Sequence, residues 1–333
     1  MSVILAVVVL IVGMSILITS WTDAPNTTAT VISTRVLNPK AAIAVGLLFN
    51  LFGVFLLGSA VAATMANIAA IGTGREALVA LGVVQLSVII WSSTAWRYGI
   101  PTSGTHAMIA ALMGAGISYD GFNALNGNSI YKVLLGLFIS SFAGFMLSFL
   151  TTKLIEFFGE NMKRRTANRY FSYGQIVSVS LLALSNGAQD GQKFMGILYF
   201  ALVVGGVYPE VTSGNIEIPL WVMVFCAILM SIGISFGGYR IIKKMGMEMV
   251  QLEKYQGFAV EMVAAGSMIA STLLGIPMSS TNLKGAAMMG AGASKGLNRV
   301  NWSVAKEMIF AWLLTFPVCL AFGYVFSTIV RRI

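Results

Sequence analysis

Asp23-Ala-Pro-Asn26 and Gln189-Asp-Gly-Gln-Lys193 each set a carboxylate in the middle of sequence otherwise apolar enough to lie in a membrane. An ionised side chain at bilayer depth costs about 2.5 kcal/mol or more, so it faces a bundle interior or a watery cavity. Pro25, and the pair Gly187 and Gly191, predict helix breaks at the same two points. Non-helical backbone at that depth is tolerated only where it is buried in protein or lines a cavity. Two broken, acidic segments in the two halves of an apolar chain form the pattern of a transport site near the membrane midplane.

Composition frames the reading. The 333 residues are 57% hydrophobic and 10% charged, with a mean hydropathy of +0.84, whereas soluble domains carry roughly 25% charged residues. Several apolar runs reach the roughly 20 residues that span a bilayer. The expectation is an all-α polytopic membrane protein of roughly 10–12 membrane segments in a lipid bilayer. In a soluble protein the net charge of +9 would suggest nucleic acid; here Lys and Arg collect beside the spans, so no nucleic-acid partner is expected. Cys226 and Cys319 lie in apolar runs far from any metal-ligand spacing and read as small buried side chains. The first twenty residues lack a basic n-region and a small-residue cleavage site, and read as a retained first helix.

Along the chain, apolar runs at 2–20 and 29–37 flank the first acidic stretch, and spans are expected near 41–65, 77–96 and 133–152. A small-residue helix is expected at 107–117, and 120–128 reads as a loop. The second half shows 171–185 and 194–207 around the other acidic stretch, then spans near 221–242, 258–274 and 304–330, with a small-residue helix at 283–293. The most hydrophilic stretch, 153–169, sits between the halves, giving repeats at 1–152 and 171–333 joined by a basic linker at 153–170.

The halves match in kind and order. Gly99-Ile-Pro-Thr-Ser-Gly-Thr-His106 returns as Gly275-Ile-Pro-Met-Ser-Ser-Thr-Asn282; Asp190 follows Asp23 by 167 positions and Pro277 follows Pro101 by 176. Within each half the acidic stretch precedes the Gly-Ile-Pro turn. This is an internal repeat, and the basic stretches 153–169 and 243–254 are expected on the cytoplasmic side. An odd number of crossings per half then makes the two repeats inverted in topology, with broken or re-entrant helices at the acidic and Gly-Ile-Pro stretches.

A Ser/Thr-rich turn that opens a helix presents hydroxyls and free backbone N–H groups, with the positive end of the helix dipole behind them. Ser103, Gly104, Thr105, Ser279, Ser280 and Thr281 are therefore candidate anion ligands. The bland alternative is a Pro-kinked helix whose hydroxyls satisfy their own backbone; a second, matching copy argues against it. The carboxylates have two uses beside an anion. They can hold a coupling cation, or accept a hydrogen bond from an oxyanion that keeps a P–OH, as phosphate does near neutral pH and sulfate does not. Lys193, one turn from Asp190, either touches the anion or only neutralises its neighbour. Glu261 and Asn50 are further cation ligands or interhelical hydrogen-bonding groups. His106 reads as a packing or capping residue before a proton relay, and Arg35 as an interface anchor.

These stretches resemble the inorganic phosphate transporter (PiT) family of bacterial type, through Asp23-Ala-Pro-Asn26, residues 29–37, both Gly-Ile-Pro turns, Gly187-Ala-Gln-Asp-Gly-Gln-Lys193 and Gly257-Phe-Ala-Val-Glu261. The resemblance covers nearly the whole chain. It implies symport of inorganic phosphate with Na+ or H+ by alternating access, with no cofactor and with homo-oligomers common. Its binding residues map onto Asp23, Asn26, Ser103, Thr105, Asp190, Lys193, Ser279, Ser280 and Thr281, and its intramembrane glutamate onto Glu261. The chain departs from the family's paired Asn-Asp at Thr22 and Gln189, which still offer oxygens to a cation site alongside Asp23, Asp190, Glu261 and Asn50. Family histidines are replaced by Asn186 and Asn282.

The function expected is secondary transport of phosphate across the cytoplasmic membrane. No G-x-x-x-x-G-K-[ST] sequence is present to suggest direct use of ATP. The alternatives are a permease for sulfate or a similar oxyanion and, from another class, an intramembrane hydrolase with an Asp23–Asp190 dyad. The duplicated Ser/Thr turns have no role in a hydrolase, so no enzyme is expected.

Overall fold

The computed structural model describes residues 2–209 and 217–332, and among these the chain is a bundle of helices. In order they are α1 (Val3–Ser33), α2 (Pro39–Gly53), α3 (Ala60–Ala66), α4 (Gly74–Arg97), α5 (Gly104–Asp120), α6 (Gly127–Phe138) and α7 (Gly144–Gly159) in the first half. In the second come α8 (Arg164–Val204), α9 (Leu220–Ser235), α10 (Tyr239–Lys243), α11 (Lys254–Leu273), α12 (Ser280–Ala293) and α13 (Trp302–Arg331). A π turn over Ile139–Ala143 joins α6 to α7, and another over Lys244–Met249 prolongs α10.

Local sequence sets the starts. Ser2, Asn38, Ser103, Asn126, Ser279 and Asn301 each accept a backbone N–H in the first turn of the helix they precede, a bond worth about 1 kcal/mol. Glu253 and Gln256 cap α11 reciprocally.

Among the described residues, four stretches are long and apolar enough to cross a membrane: α1, α4, α6–α7 as one span of Gly127–Gly159, and α13; the bent pair α9–α10 makes a fifth. This is a multi-pass membrane protein. α8 is long enough but carries Asn186, Gln189, Asp190, Gln192 and Lys193 at its middle, and most of that polar stretch is buried within the bundle. α5 and α12 are short, at 17 and 14 residues, and almost wholly buried.

Two expected breaks are absent. α1 runs through Pro25 and α8 through Gly187 and Gly191 without interruption. Pro25 leaves the carbonyl of Trp21 without its helical N–H, yet the helix continues; just beyond it, the hydroxyls of Thr27 and Thr28 turn back onto Ala24 O, 3.0 and 2.9 Å away. Gly187 and Gly191 instead mark close approach. A Cβ at Gly187 would strike the backbone of Asn50, and one at Gly191 would press on Val54. The break falls where a continuous span was expected: residues 54–59 part α2 from α3, with Leu57 and Gly58 both at positive φ. Gln192 closes that gap, accepting from Val61 N (2.9 Å) and donating to Leu57 O (3.0 Å). The basic stretch 153–170 is also not a loop, since it forms the end of α7 and the start of α8 around a short turn. Likewise 243–254 is mostly a folded turn, with Met245 and Met249 buried.

The packing of one half answers that of the other. α1 lies against α9 and α8 against α2; α5 lies against α13 and α12 against α7; α4 packs on α1 and α11 on α8. Gly114 and Gly290, each 13 residues beyond the proline of its turn, press on backbone atoms of α13 and α7 respectively. The halves are thus interleaved rather than side by side.

Candidate functional site

The two Gly-Ile-Pro turns are built alike. Gly99 and Gly275 hold φ of 67° and 66°, in the left-handed region where a Cβ is strained. Each closes the helix before it: Ile100 N donates to Ala95 O (2.9 Å) and Ile276 N to Ser271 O (2.8 Å). After the proline, Ser103 Oγ accepts from His106 N and Ser279 Oγ from Asn282 N, both at 3.1 Å. Each turn thus ends one helix and opens the next, aiming the N-termini of α5 and α12 at the bundle centre.

Each acidic helix meets the turn of the other half. On α1, Asp23 Oδ1 accepts from Asn26 (3.1 Å) and from the Thr281 hydroxyl (3.0 Å), while Asn26 Nδ2 also donates to Thr281 Oγ1 (2.9 Å) and Ser280 Oγ (3.1 Å). On α8, Lys193 Nζ donates to Asp190 Oδ1 (2.7 Å), Thr105 Oγ1 (2.8 Å) and Met278 O (2.6 Å). Gly104 lets α5 come this close, for a Cβ there would collide with Thr19 and stand 3.6 Å from Asp23 Oδ2.

Between the aspartates lies a cavity of about 20 Å³, lined by Ser20, Asp23, Thr27, Asn50, Asn186 and Asp190, with Phe194, Met230 and Ile234 on its apolar side. Ser20 Oγ, Asn50 Oδ1 and Asn186 Oδ1 are buried and accept no hydrogen bond. A cavity of that size holds about one water-sized particle, which matches a small desolvated cation and is too small for a tetrahedral oxyanion. Two carboxylates and a set of unpartnered oxygens are the donor set of a hard monovalent cation. No cluster of metal-ligating His, Cys, Asp or Glu occurs among the described residues.

Of the expected site residues, the structure brings Asp23, Asn26, Gly104, Thr105, Asp190, Lys193, Ser280 and Thr281 together, and places Asn50 at the cavity. Ser103 and Ser279 spend their hydroxyl oxygens as helix caps. Thr22 and Gln189 do not line the cavity, although Gln189 Oε1 is buried without a hydrogen-bond partner. The Thr22 hydroxyl donates back to Thr19 O (2.9 Å), and the Gln189 amide reaches Ser271 Oγ (2.8 Å) and Ile276 O (3.3 Å), steadying the second turn. Asn186 lines the cavity with the two aspartates. His106 is buried on α5 with its ring 6.2 Å from that of Phe316, and Arg35 is exposed.

Glu261 lies in a separate nest. Its carboxylate accepts from the hydroxyls of Thr30 and Ser178 (2.7 Å for the latter) and from Gln175 Nε2 (3.3 Å), and Lys284 Nζ donates to Thr30 Oγ1 (2.9 Å). Lys284, 1% exposed, is not among the residues expected from sequence, although a lysine stands out in a run of small residues, Leu283-Lys-Gly-Ala-Ala.

Residues 19–323 of this chain match the phosphate transporter family. The chain belongs to that family. It is 31% identical over 316 residues to the "probable low-affinity inorganic phosphate transporter" of Bacillus subtilis, covering 95% of this chain and 94% of that one. It is 34% identical over 315 residues to the protein of the same name in Mycobacterium leprae, covering 93% and 74%. A solved structure named "The sodium-dependent phosphate transporter" superposes over 100% of both chains with a TM-score of 0.90 at 21% identity, which establishes the fold. The family is one of transporters, so the hydrolase reading of the aspartates falls and the protein is not an enzyme.

Proposed function

We propose that the protein is a symporter that carries inorganic phosphate together with sodium across the cytoplasmic membrane. The observation that carries this reading is the cavity between Asp23 and Asp190, sized for one small cation and lined by Asn50 and Asn186 with their unpartnered oxygens. Its aspartates reach the start of α12 through Thr281 and the start of α5 through Lys193 and Thr105. The cation's charge offsets the carboxylates, and α5, α12 and Lys193 then favour an oxyanion next to it. The names of the relatives support phosphate, and the name of the solved structure supports both phosphate and sodium. Phosphate is preferred over sulfate because a carboxylate can accept from P–OH and only repels a fully ionised oxyanion.

Phosphate binding requires the contacts of Lys193 with Thr105 and Met278, and of Asn26 with Ser280 and Thr281, to part, since they occupy the donors that would hold the anion. Of these, the contacts of Lys193 with Thr105 and of Asn26 with Ser280 and Thr281 join one half to the other, while Lys193 and Met278 lie within the second. Alternating access follows as a rocking of two inverted repeats, 1–152 and 171–333, about this seam. The basic ends at 153–169 and 243–254 lie on the cytoplasmic side.

The test is uptake of radiolabelled phosphate into proteoliposomes under separately imposed sodium and proton gradients, with excess sulfate as competitor. Sodium-driven uptake indifferent to sulfate is expected. Uptake that needs only a proton gradient, or that sulfate suppresses, overturns the ion or the anion respectively.

A further inference from the structure

Two positions change together between the repeats. Shifting by the 176 residues that separate Pro101 from Pro277 maps Glu261 onto Gln85 and Lys284 onto Met108. The second half therefore holds a carboxylate and an ammonium where the first holds an amide and a thioether. Charge appears as a pair and vanishes as a pair, which is the behaviour of two groups that need each other in a low-dielectric interior.

The geometry supplies the link. Glu261 on α11, Gln175 and Ser178 on α8 and Thr30 on α1 form a fully buried polar nest, in which two hydroxyls and the Gln175 amide nitrogen donate to the carboxylate, and Lys284 reaches it from α12. The ammonium does not sit on the carboxylate directly. It donates to Thr30 Oγ1, whose own hydrogen goes to Glu261. Thr30 lies seven residues beyond Asp23 on the same helix, about 10 Å along its axis, so this is a second centre and not a wall of the aspartate cavity. A buried carboxylate among hydroxyls and amides would otherwise draw a free cation; here a covalently held one is already in place.

We propose that Lys284 is a tethered cation, whose ammonium stands in for a free sodium ion in the Glu261–Thr30–Ser178–Gln175 nest, so that the nest binds no sodium in the natural protein. The proposal rests on the reading of the protein as sodium-coupled, because it removes Glu261 from the set of sodium sites and leaves the aspartate cavity as the ion's place.

The test uses the full chain in detergent, with melting followed in sodium chloride and in choline chloride at equal ionic strength. Lys284→Met removes the ammonium while keeping most of the side-chain volume, and so opens a place for an ion. Relative to wild type, this variant is expected to melt lower in choline and to gain a sodium-dependent rise in Tm larger by about 3 °C. Adding Glu261→Gln to Lys284→Met should return the sodium response to that of wild type. A Lys284→Met protein that folds only in sodium supports the proposal. An unchanged sodium response, an increment that survives Glu261→Gln, or failure to fold in either salt overturns it. A wild type blind to sodium beside a responsive Lys284→Met protein leaves this proposal standing and removes the sodium reading of the aspartate cavity.

Discussion

Asn26 and Lys193 hold matching places, each three residues past its aspartate and each bonded to the threonine of the opposite turn, yet one is a neutral amide and the other an ammonium. The same contrast recurs one layer away, where Gln85 and Met108 answer Glu261 and Lys284. The backbone repeats; the charge does not. Both halves bring an aspartate to the seam, but only the second adds ammonium groups, so the site has a twofold frame and a one-sided field. In the proposed mechanism, a symmetric frame would let the two halves exchange roles, while the asymmetric field would give an anion one preferred lobe, the one beside Lys193.

The largest effect expected from breaking this comparison is at the aspartates. Asp190→Asn should abolish phosphate uptake, by about 100-fold or more, because it removes cavity charge and leaves Lys193 unpaired; near-normal uptake by correctly inserted protein would take Asp190 out of the mechanism. Next, Lys193→Asn makes the second half resemble the first. It should raise the KM for phosphate about tenfold, equivalent to about 1.4 kcal/mol, and an unchanged KM would mean that the ammonium only neutralises Asp190. A subtler comparison is mechanical. Gly114→Val and Gly290→Val each force a side chain into the backbone of a neighbouring helix and should cost similar amounts, about 1–3 kcal/mol. Unequal losses of Tm would show that the two interleaved pairs are not equivalent.

The smallest effect sharpens the contrast most. Gln85 is fully buried, and neither its side-chain nitrogen nor its oxygen has a partner, so Gln85→Leu should be neutral or stabilising by about 1 kcal/mol. Glu261→Leu should be strongly destabilising, because it strands Lys284. If both substitutions behave alike, the charge asymmetry between the halves has no energetic meaning.

Much of the site was legible because its residues are polar in an apolar background. Asp23, Asp190 and the two Gly-Ile-Pro turns announce themselves, and the repetition of Gly-Ile-Pro-x-Ser-x-Thr gave their pairing. What composition did not show is which half each residue faces: Asp23 meets Thr281 and Lys193 meets Thr105 because the helices interleave, and no local pattern encodes that. Glycine was ambiguous for a similar reason. Gly187 and Gly191 read as helix breakers in the sequence, whereas a glycine can equally make room for a neighbour, and the approach of α2 shows that it does so here. Pro25 misled because a membrane helix can run through a proline when it is packed on its neighbours, as α1 is on α4, α8 and α9. Ser103 and Ser279 were read for what they offer a ligand, while the helix they open takes the oxygen first.

The most direct test of the account measures phosphate binding by the purified protein at several sodium concentrations, and sodium binding with and without phosphate. Coupling through the cavity between Asp23 and Asp190 requires each ligand to tighten the other by the same factor, and Asp23→Asn to shrink that factor. Phosphate affinity indifferent to sodium, with choline held as the compensating ion, would contradict the claim that the two ligands share one site.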